Sequence, residues 1–502
     1  MSQIKKGASL TYINLFLSNI IGLVLTPFII RSLGNSEYGL YTLIGSFVAY
    51  LTLLDLGLSS TIVRYVAKYR AHNDKEGEKQ FLSTTMWIYL GIAFLLMIVG
   101  FLLYSQLDSM FKNTLTGDEL GRAKLMFIVL VFNLCFTIPG GAFEAICNGY
   151  QYFVFPRVVK ICKYVLRTIM VFAILSYGGK AISLVVIDTV MNVLVILASF
   201  IFVMLKLKVK ISLNYFDKVL LKEVFSYSFW VFVYGIVHLF QWNAGQVVLG
   251  MTTSTIVVAV FGVGIMLGGY FNAFGGALND VLIPKAMQMV VENRSGKELT
   301  KTMVTVSRLN GYVMFLILTS FILVGKQFIE LWVGVDYVEA WKVAIAIMLG
   351  MTLLLFQVFG NTILEALKKN RFKSLISLST VGLGVVVGYF FSKEYGMMGM
   401  IIPLSFAMVL NGVIMNSYFI KIFDFQPAYF FKEVLYKQVL VYGLLLSMCY
   451  YILQFINIGS WFIFLGISAV YLLLFVNLSY FLLMNEYEKS FAKQFFLKFI
   501  RK

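Results

Sequence analysis

Residues 82–104 read LSTTMWIYLGIAFLLMIVGFLLY, a stretch without a single charged side chain. A helix rises about 1.5 Å per residue, so a run of this length crosses a hydrocarbon core of about 30 Å. Lipid offers no hydrogen bonds, so a spanning segment must satisfy its own backbone groups. Because the run is continuously apolar and does not alternate in polarity, it predicts a membrane-spanning helix and not a barrel strand.

Similar runs recur along all 502 residues, of which 60% are hydrophobic and 13% are charged. A soluble domain carries about 25% charged residues, so this composition excludes a water-soluble globule. We predict an all-α membrane protein with about fourteen transmembrane helices. The predicted spans lie at about 10–30, 39–66, 82–104, 123–147, 155–178, 181–205, 224–250, 254–279, 306–325, 341–363, 374–392, 397–420, 437–457 and 459–484.

The basic residues are distributed unevenly between the two sides of the membrane. With an even number of spans both termini share one side, and 33 of the 41 lysines and arginines fall there. Positive charge concentrates on the cytoplasmic side of membrane proteins, so we expect both termini in the cytoplasm. The net charge of +17 therefore reports topology in the lipid bilayer and does not indicate nucleic-acid binding.

Spans two and eight share a weak internal repeat. Gly45 matches Gly264 and Gly57 matches Gly276, both pairs 219 positions apart, although coincidence is the alternative because glycine is common. This spacing equals six spans, so the two halves would have the same orientation, with a substrate site between them. The predicted divisions are an N-terminal lobe (1–210), a C-terminal lobe (211–425) and a last pair of helices with a cytoplasmic tail (426–502).

No feature of the sequence indicates a catalytic or metal centre. The predicted loops are short, only two histidines occur, and the four cysteines lie in apolar stretches without metal-ligand spacing. The first apolar run lacks a small-residue cleavage site and is expected to be a retained helix. We predict a protein that is not an enzyme and that carries no cofactor and no metal.

Span five contains the most informative charges. Lys160, Lys163 and Arg167 are three and four positions apart and share one helix face. Arg167 lies about ten residues above the predicted edge, hence roughly 15 Å deep, where snorkelling to the headgroups explains it poorly. We predict that this face binds an anion in a wet cavity. The alternative is an internal partner, for which Asp188 on span six is the obvious candidate.

Two further spans are unusually polar. Gln357, Asn361 and Glu365 form a stripe at steps of four on span ten, and His238 and Gln241 lie deep in span seven. Amide and imidazole groups suit sugar hydroxyls, so Gln357, Asn361, His238 and Gln241 are predicted to contact a glycan. Hydrogen bonding between packed helices is an equal alternative for both sets.

Acidic residues inside spans are candidates for coupling transport to an ion. Asp55, Asp188 and Glu365 are the residues that we consider for this role. The coupling ion would be H⁺ or Na⁺, or the membrane potential alone would drive the cycle. The sequence favours none of these three sources.

Three local motifs resemble one family. They are residues 27–41, PFIIRSLGNSEYGLY; residues 54–58, LDLGL; and residues 144–151, EAICNGYQ. These motifs resemble the polysaccharide-transporter branch of the multidrug/oligosaccharidyl-lipid/polysaccharide exporter superfamily. The resemblance is clearest over the first 160 residues, and the number of spans extends it to the whole chain.

The resemblance implies two six-helix lobes around a central cavity. It implies a flippase that exports an undecaprenyl-diphosphate-linked repeat unit of O-antigen, capsule, exopolysaccharide or teichoic type, by alternating access and without hydrolysing ATP. Related lipid II flippases have a cationic cavity, and Arg167 with Lys163 would fit that role by chemistry. The implied partners are the polyprenyl-diphosphate-linked glycan, and polysaccharide polymerase and chain-length machinery.

Two other functions remain open at this point. A multidrug or cation antiporter of the same superfamily would need buried acids, whereas the deepest charges here are basic. A membrane polymerase or glycosyltransferase acting on the same intermediates would need a large outer loop or a cytoplasmic acidic motif, and neither is found.

Overall fold

The chain folds almost entirely into helices, which account for 88% of the residues that the structure describes. The computed structural model describes residues 3–55, 57–276, 279–490 and 493, and these ranges contain no strand. The predicted class, an all-α membrane protein, is confirmed. The α-helices are, in chain order, α1 (Gln3–Leu33), α2 (Asn35–Ala49), α3 (Leu58–Ala71), α4 (Lys75–Phe111), α5 (Gly117–Gly149), α6 (Val154–Ser176), α7 (Ala181–Ile201), α8 (Lys218–Thr252), α9 (Thr255–Gly276), α10 (Asn279–Val291), α11 (Gly296–Trp332), α12 (Ala340–Phe356), α13 (Val358–Ala366), α14 (Asn370–Phe423), α15 (Pro427–Phe430), α16 (Lys437–Leu453) and α17 (Trp461–Leu478).

Eleven helical segments of the described chain are long and apolar enough to cross a membrane. One of them, α14, has 54 residues and bends at Gly396, whose φ of 54° is left-handed. Its two arms correspond to the predicted spans 374–392 and 397–420. A further helix of 23 residues, α6, carries four basic residues and is therefore too charged to be recognised by composition. The total of about fourteen spans stays a prediction.

The surface of the helices is apolar where lipid would cover it. Phe101 is 72% exposed and Phe462 is 88% exposed, and many leucines and isoleucines are exposed beside them. A soluble monomer rarely leaves such large apolar areas uncovered. The exposed aromatic and aliphatic side chains therefore agree with a protein that is embedded in a bilayer.

Two long helices begin with a capping box, which fixes where each span starts. The Thr116 hydroxyl accepts a hydrogen bond from the Glu119 backbone N–H, and Glu119 accepts one from the Thr116 N–H. Ser295 and Glu298 form the same reciprocal pair at the start of α11. These pairs satisfy backbone donors that the first helical turn leaves free, so the loop ends at a defined residue.

The first compact unit spans Met1–Ala259. Within it α5 packs against α2, α3, α4 and α7, whereas α6 packs mainly against α1 and α7. Gly140 permits the close approach of α5 to α7, because a Cβ atom there would lie 2.5 Å from Ile196 Cγ1. This contact brings polar side chains of α5, α6 and α7 together.

The second predicted span is interrupted in the middle. Helix α2 ends at Ala49, residues Tyr50–Asp55 form a 3₁₀ helix, and Gly57 adopts a left-handed φ of 72° before α3 begins. A non-helical break at membrane depth is tolerated where it is buried in protein or lines a cavity. It places the Asp55 carboxylate at the junction of two helices.

The second compact unit spans Val260–Lys502. Here α12 packs against α11 and α14, α10 packs against α13, and α16 and α17 pack against α11. The guanidinium of Arg308 on α11 is buried and donates to the Leu483 carbonyl at 2.6 Å and to the Glu433 carbonyl at 3.0 Å. These bonds attach the segments that flank α16 and α17 to α11.

The three predicted divisions of the chain, 1–210, 211–425 and 426–502, stay predictions. Helix α8 was expected to open the C-terminal lobe. In the structure it packs against α2, α3 and α4 and belongs to the first compact unit.

Candidate functional site

The three basic residues predicted to share a face do so on α6. Lys160, Lys163 and Arg167 are each partly buried on a helix whose last turn has no charge. Every one of them meets an oxygen acceptor supplied by α5 or α7. We call this set the α6 polar ladder, and its members are Lys160, Lys163, Arg167, Glu144, Asn192 and Asp188.

Arg167 and Asp188 form the deepest step of the ladder. The Arg167 Nη2 atom donates to Asp188 Oδ2 at 3.0 Å, and Nε donates to Oδ1 of the same carboxylate. The Tyr41 hydroxyl on α2 also donates to Oδ2, at 3.4 Å. The side chains of Arg167 and Asp188 are 21% and 24% exposed. A two-pronged, charge-assisted pair of this kind is strong.

Lys163 occupies the middle step and is held by a neutral group. Its Nζ atom donates to Asn192 Oδ1 at 2.6 Å. The Asn192 amide in turn donates to Asn133 Oδ1 on α5 at 3.0 Å. Asn192 follows Asp188 by four residues, so both side chains lie on one face of α7. The hydrogen-bond partner of Lys163 is therefore a neutral amide and not a carboxylate.

Lys160 forms the outermost step. Its Nζ atom donates to Glu144 Oε1 at 2.7 Å, and both side chains are about a third exposed or more. Arg157, one turn earlier, donates to Asn148 Oδ1 at 2.6 Å. Both partners lie near the end of α5, within the motif at residues 144–151. The ion pairs thus become less exposed along α6, from Lys160 and Glu144 to Arg167 and Asp188.

The polar residues of α8 lie in different environments. His238 is exposed, its ring centroid lies 6.3 Å from that of Trp242, and Gln241 is half-buried. Gln246 is buried and accepts a hydrogen bond from Ser46 on α2, so it joins helices. Over the described residues no group of three or more metal-ligating side chains is found.

The polar stripe on the second unit is mostly engaged in helix packing. Gln357 is fully buried, and its amide donates to the Gly412 carbonyl and to Asn416 Oδ1, both at 2.7 Å. Asn361 is half-buried, and Glu365 is exposed and accepts from Lys373 at 3.1 Å. For Gln357 this geometry matches the alternative of hydrogen bonding between helices. A role of Gln357 and Asn361 in glycan binding stays a prediction.

Asp55 lies at the break between α2 and α3. Its carboxylate is partly buried and accepts a hydrogen bond from the Gly57 backbone. The Tyr89 hydroxyl on α4 is fully buried and faces the Asp55 carboxylate and the Ser59 hydroxyl without completing a hydrogen bond of standard geometry. The break therefore places a partly buried acid beside a buried tyrosine hydroxyl.

The sequence interpretation missed three members of this network. Tyr41, Asn133 and Asn192 all contact ladder residues or their partners. Asn192 could have been found from its spacing, because it lies one turn beyond Asp188. Tyr41 and Asn133 give no local signal, since their contribution depends on which helix faces meet.

These features define a class of protein, a multi-pass membrane transporter with partly buried basic side chains. A family model described as polysaccharide biosynthesis protein matches residues 4–290, which is more than half of the chain. The chain belongs to this family. The family that the three motifs resemble is thereby confirmed.

Two curated relatives match most of the chain. A proposed O-antigen transporter of Shigella flexneri is 21% identical over 416 residues, which cover 80% of this chain and 95% of the relative. A proposed O-antigen transporter of Salmonella typhi is 20% identical over 427 residues, with coverages of 82% and 92%. The chain therefore spans nearly the full length of both relatives.

Solved structures show the same fold. The lipid II flippase MurJ in an inward closed conformation has a TM-score of 0.72 and 16% identity, covering 93% of this chain and 98% of that one. An inward-facing multidrug resistance MATE transporter of the MOP superfamily has a TM-score of 0.65 and 14% identity, with coverages of 84% and 97%. All these proteins are named as transporters or flippases and not as enzymes. The protein is a membrane transporter of polysaccharide biosynthesis.

Proposed function

We propose that this transporter is a flippase for an undecaprenyl-diphosphate-linked oligosaccharide. It would move the repeat unit, of O-antigen, capsule, exopolysaccharide or teichoic type, from the inner to the outer leaflet of the bacterial cytoplasmic membrane, with both termini cytoplasmic. Family membership and the names of the two relatives support this class of cargo. The α6 polar ladder is the observation that carries the proposal, because cations inside a membrane suit a lipid diphosphate.

The diphosphate would bind the ladder by an exchange of partners. Its oxygens offer Arg167 charge-assisted acceptors of the kind that Asp188 supplies. Lys163 would release only the neutral amide of Asn192, so its exchange leaves no charge unpaired. Lys160 would complete the contact nearer the cytoplasmic end, after releasing Glu144. Substrate entry therefore liberates the Asp188 carboxylate.

Coupling to an ion follows from this exchange. A buried carboxylate that loses its cation is costly, and it regains balance by taking up H⁺ or Na⁺. Asp188 is the first candidate for this role, and Asp55 at the helix break is the second. Glu365 is the third, although its pairing with Lys373 near the end of a helix makes it less suited. The membrane potential is the remaining source of energy, and the cycle uses no cofactor.

The glycan would meet polar groups outside the ladder. His238 and Gln241 are accessible for hydrogen bonds to sugar hydroxyls. Gln357 would take part only after releasing its bonds to α14, and Asn361, half-buried beside it, would follow. Alternating access then exposes the loaded site to the other leaflet. Polymerase and chain-length proteins would receive the product there.

The decisive experiment measures the leaflet in which the lipid-linked glycan resides. Cells depleted of the protein are converted to spheroplasts, and the fraction of polyprenyl-diphosphate oligosaccharide that an impermeant reagent reaches is determined. We expect the intermediate to accumulate on the inner side. Wild-type protein and the Lys112→Ala variant, which changes an exposed lysine of the predicted outer side, should both restore export.

Other outcomes identify the competing functions. An intermediate that reaches the outer leaflet but is not polymerised would indicate the polymerase. An unchanged intermediate combined with increased drug susceptibility would indicate the multidrug antiporter. Either result contradicts the flippase proposal.

A further inference from the structure

A basic cavity lies apart from the ladder, at the end of the first unit that the charge distribution assigns to the cytoplasm. Its volume is about 560 Å³, and it opens between the end of α3, the start of α4 and the chain that follows α7. This volume is typical of small-molecule sites. Five basic side chains line it: Arg70, Lys75, Lys79, Lys208 and Lys210.

Two of these five basic side chains already interact with other side chains of the protein. Lys79 pairs with Glu76 at 3.2 Å, and the Arg70 guanidinium stacks on the Tyr150 ring at 4.0 Å. Asp74 is also occupied, because it caps α4 by accepting from the Gly77 N–H at 2.8 Å. The acids that line the cavity therefore do not neutralise all of its lysines.

Three lysines of the cavity remain available. Lys75, Lys208 and Lys210 form no ion pair within the described residues. They approach the cavity from two separate elements, the start of α4 and the chain after α7. A phosphate group placed between these elements would be contacted from both sides, as anions in built sites are.

The cavity also contains an acceptor that lacks a donor. Glu78 is only 6% exposed, and its Oε1 atom has no hydrogen-bond partner. The Tyr150 hydroxyl and the Arg70 guanidinium also interact with this carboxylate. Buried polar atoms are nearly always satisfied, so an unfilled oxygen in a cavity points to a missing donor. The site thus requires a ligand with both an anionic group and a hydrogen-bond donor.

The segment 207–217 begins at the cavity, with Lys208 and Lys210 in its lining. It lies along α4, where the Ser83 hydroxyl donates to the Tyr215 carbonyl at 2.7 Å and the Trp87 Nε1 donates to the Leu213 carbonyl at 2.8 Å. Leu213 and Phe216 are exposed beside the lysines. Exposed apolar groups next to basic ones, with a tryptophan, are typical of a membrane interface.

We propose that the cavity binds the headgroup of an anionic, hydroxylated phospholipid of the inner leaflet, with phosphatidylglycerol as the type. Its phosphate contacts Lys75, Lys208 and Lys210, and a glycerol hydroxyl donates to the Glu78 carboxylate. The acyl chains extend into the bilayer beside the apolar side chains of segment 207–217. This site is separate from the ladder and does not depend on the proposed function.

Binding is measured on the delipidated full-length protein in nanodiscs or detergent by native mass spectrometry with defined lipids. Phosphatidylglycerol should be retained more strongly than phosphatidylcholine by the wild type. The Lys208→Ala/Lys210→Ala variant should bind it roughly thirtyfold more weakly, because each lysine near an anionic headgroup contributes about a factor of five. The matched Lys112→Ala/Lys393→Ala variant, which loses the same charge on the predicted outer side, should bind normally.

The donor requirement is tested with phosphatidylmethanol, which is anionic but has no hydroxyl. The wild type should prefer phosphatidylglycerol, and Glu78→Ala should lose this preference. If Glu78→Ala does not fold, the comparison of the two lipids on the wild type decides the point. Equal binding of both lipids by the wild type, or equal loss in both double-lysine variants, would overturn the proposal.

A free phosphate ester has the same chemistry as the headgroup. Glycerol 1-phosphate and inorganic phosphate are therefore added as competitors. We expect them to displace the lipid only at far higher concentration, because they lack the chains that anchor it. Displacement at equal concentration would assign the cavity to a soluble ligand and contradict the lipid proposal.

Discussion

Arg308 and Glu488 lie 180 positions apart in the chain, yet their side chains form a buried ion pair with an Nε–Oε1 distance of 2.7 Å. A second bond joins Arg308 Nη2 to Oε2 at 2.9 Å, and the Tyr312 hydroxyl donates to the same oxygen at 2.9 Å. The backbone N–H of Asn485 adds a further donor at 3.0 Å. These bonds therefore hold the chain that follows α17 against α11.

Removing the carboxylate should destabilise the protein. Glu488→Ala leaves a buried guanidinium without its counter-charge, which typically costs about 3–5 kcal/mol. The Leu483 carbonyl still accepts from Arg308, so we expect a loss near 3 kcal/mol. The free energies of unfolding of the wild type and of Glu488→Ala are compared by denaturation in detergent. Glu486→Ala is the control, because that side chain is 96% exposed; equal stability of both variants would contradict this view.

The ion pair between Arg308 and Glu488 should make the stability of the protein depend on pH. Burial raises the pKa of Glu488, but the hydrogen bonds from Arg308 and the Asn485 backbone outweigh burial and hold its pKa below the usual range. Its contribution is complete above the unfolded pKa of about 4.3 and is lost as the pH falls through the lowered value. The stability difference between wild type and Glu488→Gln should therefore be constant above about pH 5 and shrink below it.

Arg167→Ala should remove the positive charge at the deepest position of the ladder. We expect export to fall roughly tenfold to a hundredfold, since a charged hydrogen bond is worth about 1.5–3 kcal/mol. Arg167→Lys should retain part of the activity, because it keeps the charge but loses the two-pronged geometry. Export is measured at equal membrane abundance. Normal export by Arg167→Ala would rule out this arginine as a substrate contact.

Asp188→Asn should strengthen the binding of the substrate and abolish the coupling of export to an ion gradient. The variant removes the carboxylate that competes with the diphosphate, so undecaprenyl diphosphate should bind roughly tenfold more tightly, the value of one charged hydrogen bond. Export should at the same time lose its response to a proton or Na⁺ gradient. Asp108→Asn serves as the control, because Asp108 pairs with Lys124 on the surface at 2.6 Å. Weaker binding by Asp188→Asn would refute the exchange of partners.

Asp55→Asn should affect the cycle and leave affinity unchanged. Asp55 lies at the break between α2 and α3, and no ladder residue contacts it among the bonds that the structure describes. We expect slower export with normal binding of undecaprenyl diphosphate. Tyr89→Phe removes only the hydroxyl that faces Asp55 and should show a smaller effect in the same direction. A changed affinity in Asp55→Asn would place this residue in the substrate site instead.

The class of fold could be predicted from the sequence because lipid imposes a simple rule on composition and length. The α6 face could also be predicted, since Lys163 and Arg167 are costly anywhere but in a wet or paired environment. Asp188 was named as the alternative partner because it lies on the next helix. Its contact with Arg167 shows the alternative pairing in this conformation, and an anion-binding role of Arg167 stays a prediction.

The remaining contacts depend on three-dimensional packing. Asn133 meets Asn192 because Gly140 allows α5 to approach α7, and no spacing within α5 signals this. Arg308 looks in the sequence like one more cytoplasmic-side charge. Its partner is 180 positions away and was not foreseen. Local patterns reveal which side chains are costly in a membrane, but not which distant side chains compensate them.

The turn between α6 and α7 has a consequence for how the protein is made. Two deep cations, Lys163 and Arg167, would oppose insertion of α6 alone by about 5–7 kcal/mol. Only four residues separate the end of α6 from the start of α7, with Gly178 at a left-handed φ of 83°. We therefore expect the translocon to release both helices into the bilayer as one hairpin. A nascent chain that ends before Asp188 should leave α6 outside the lipid.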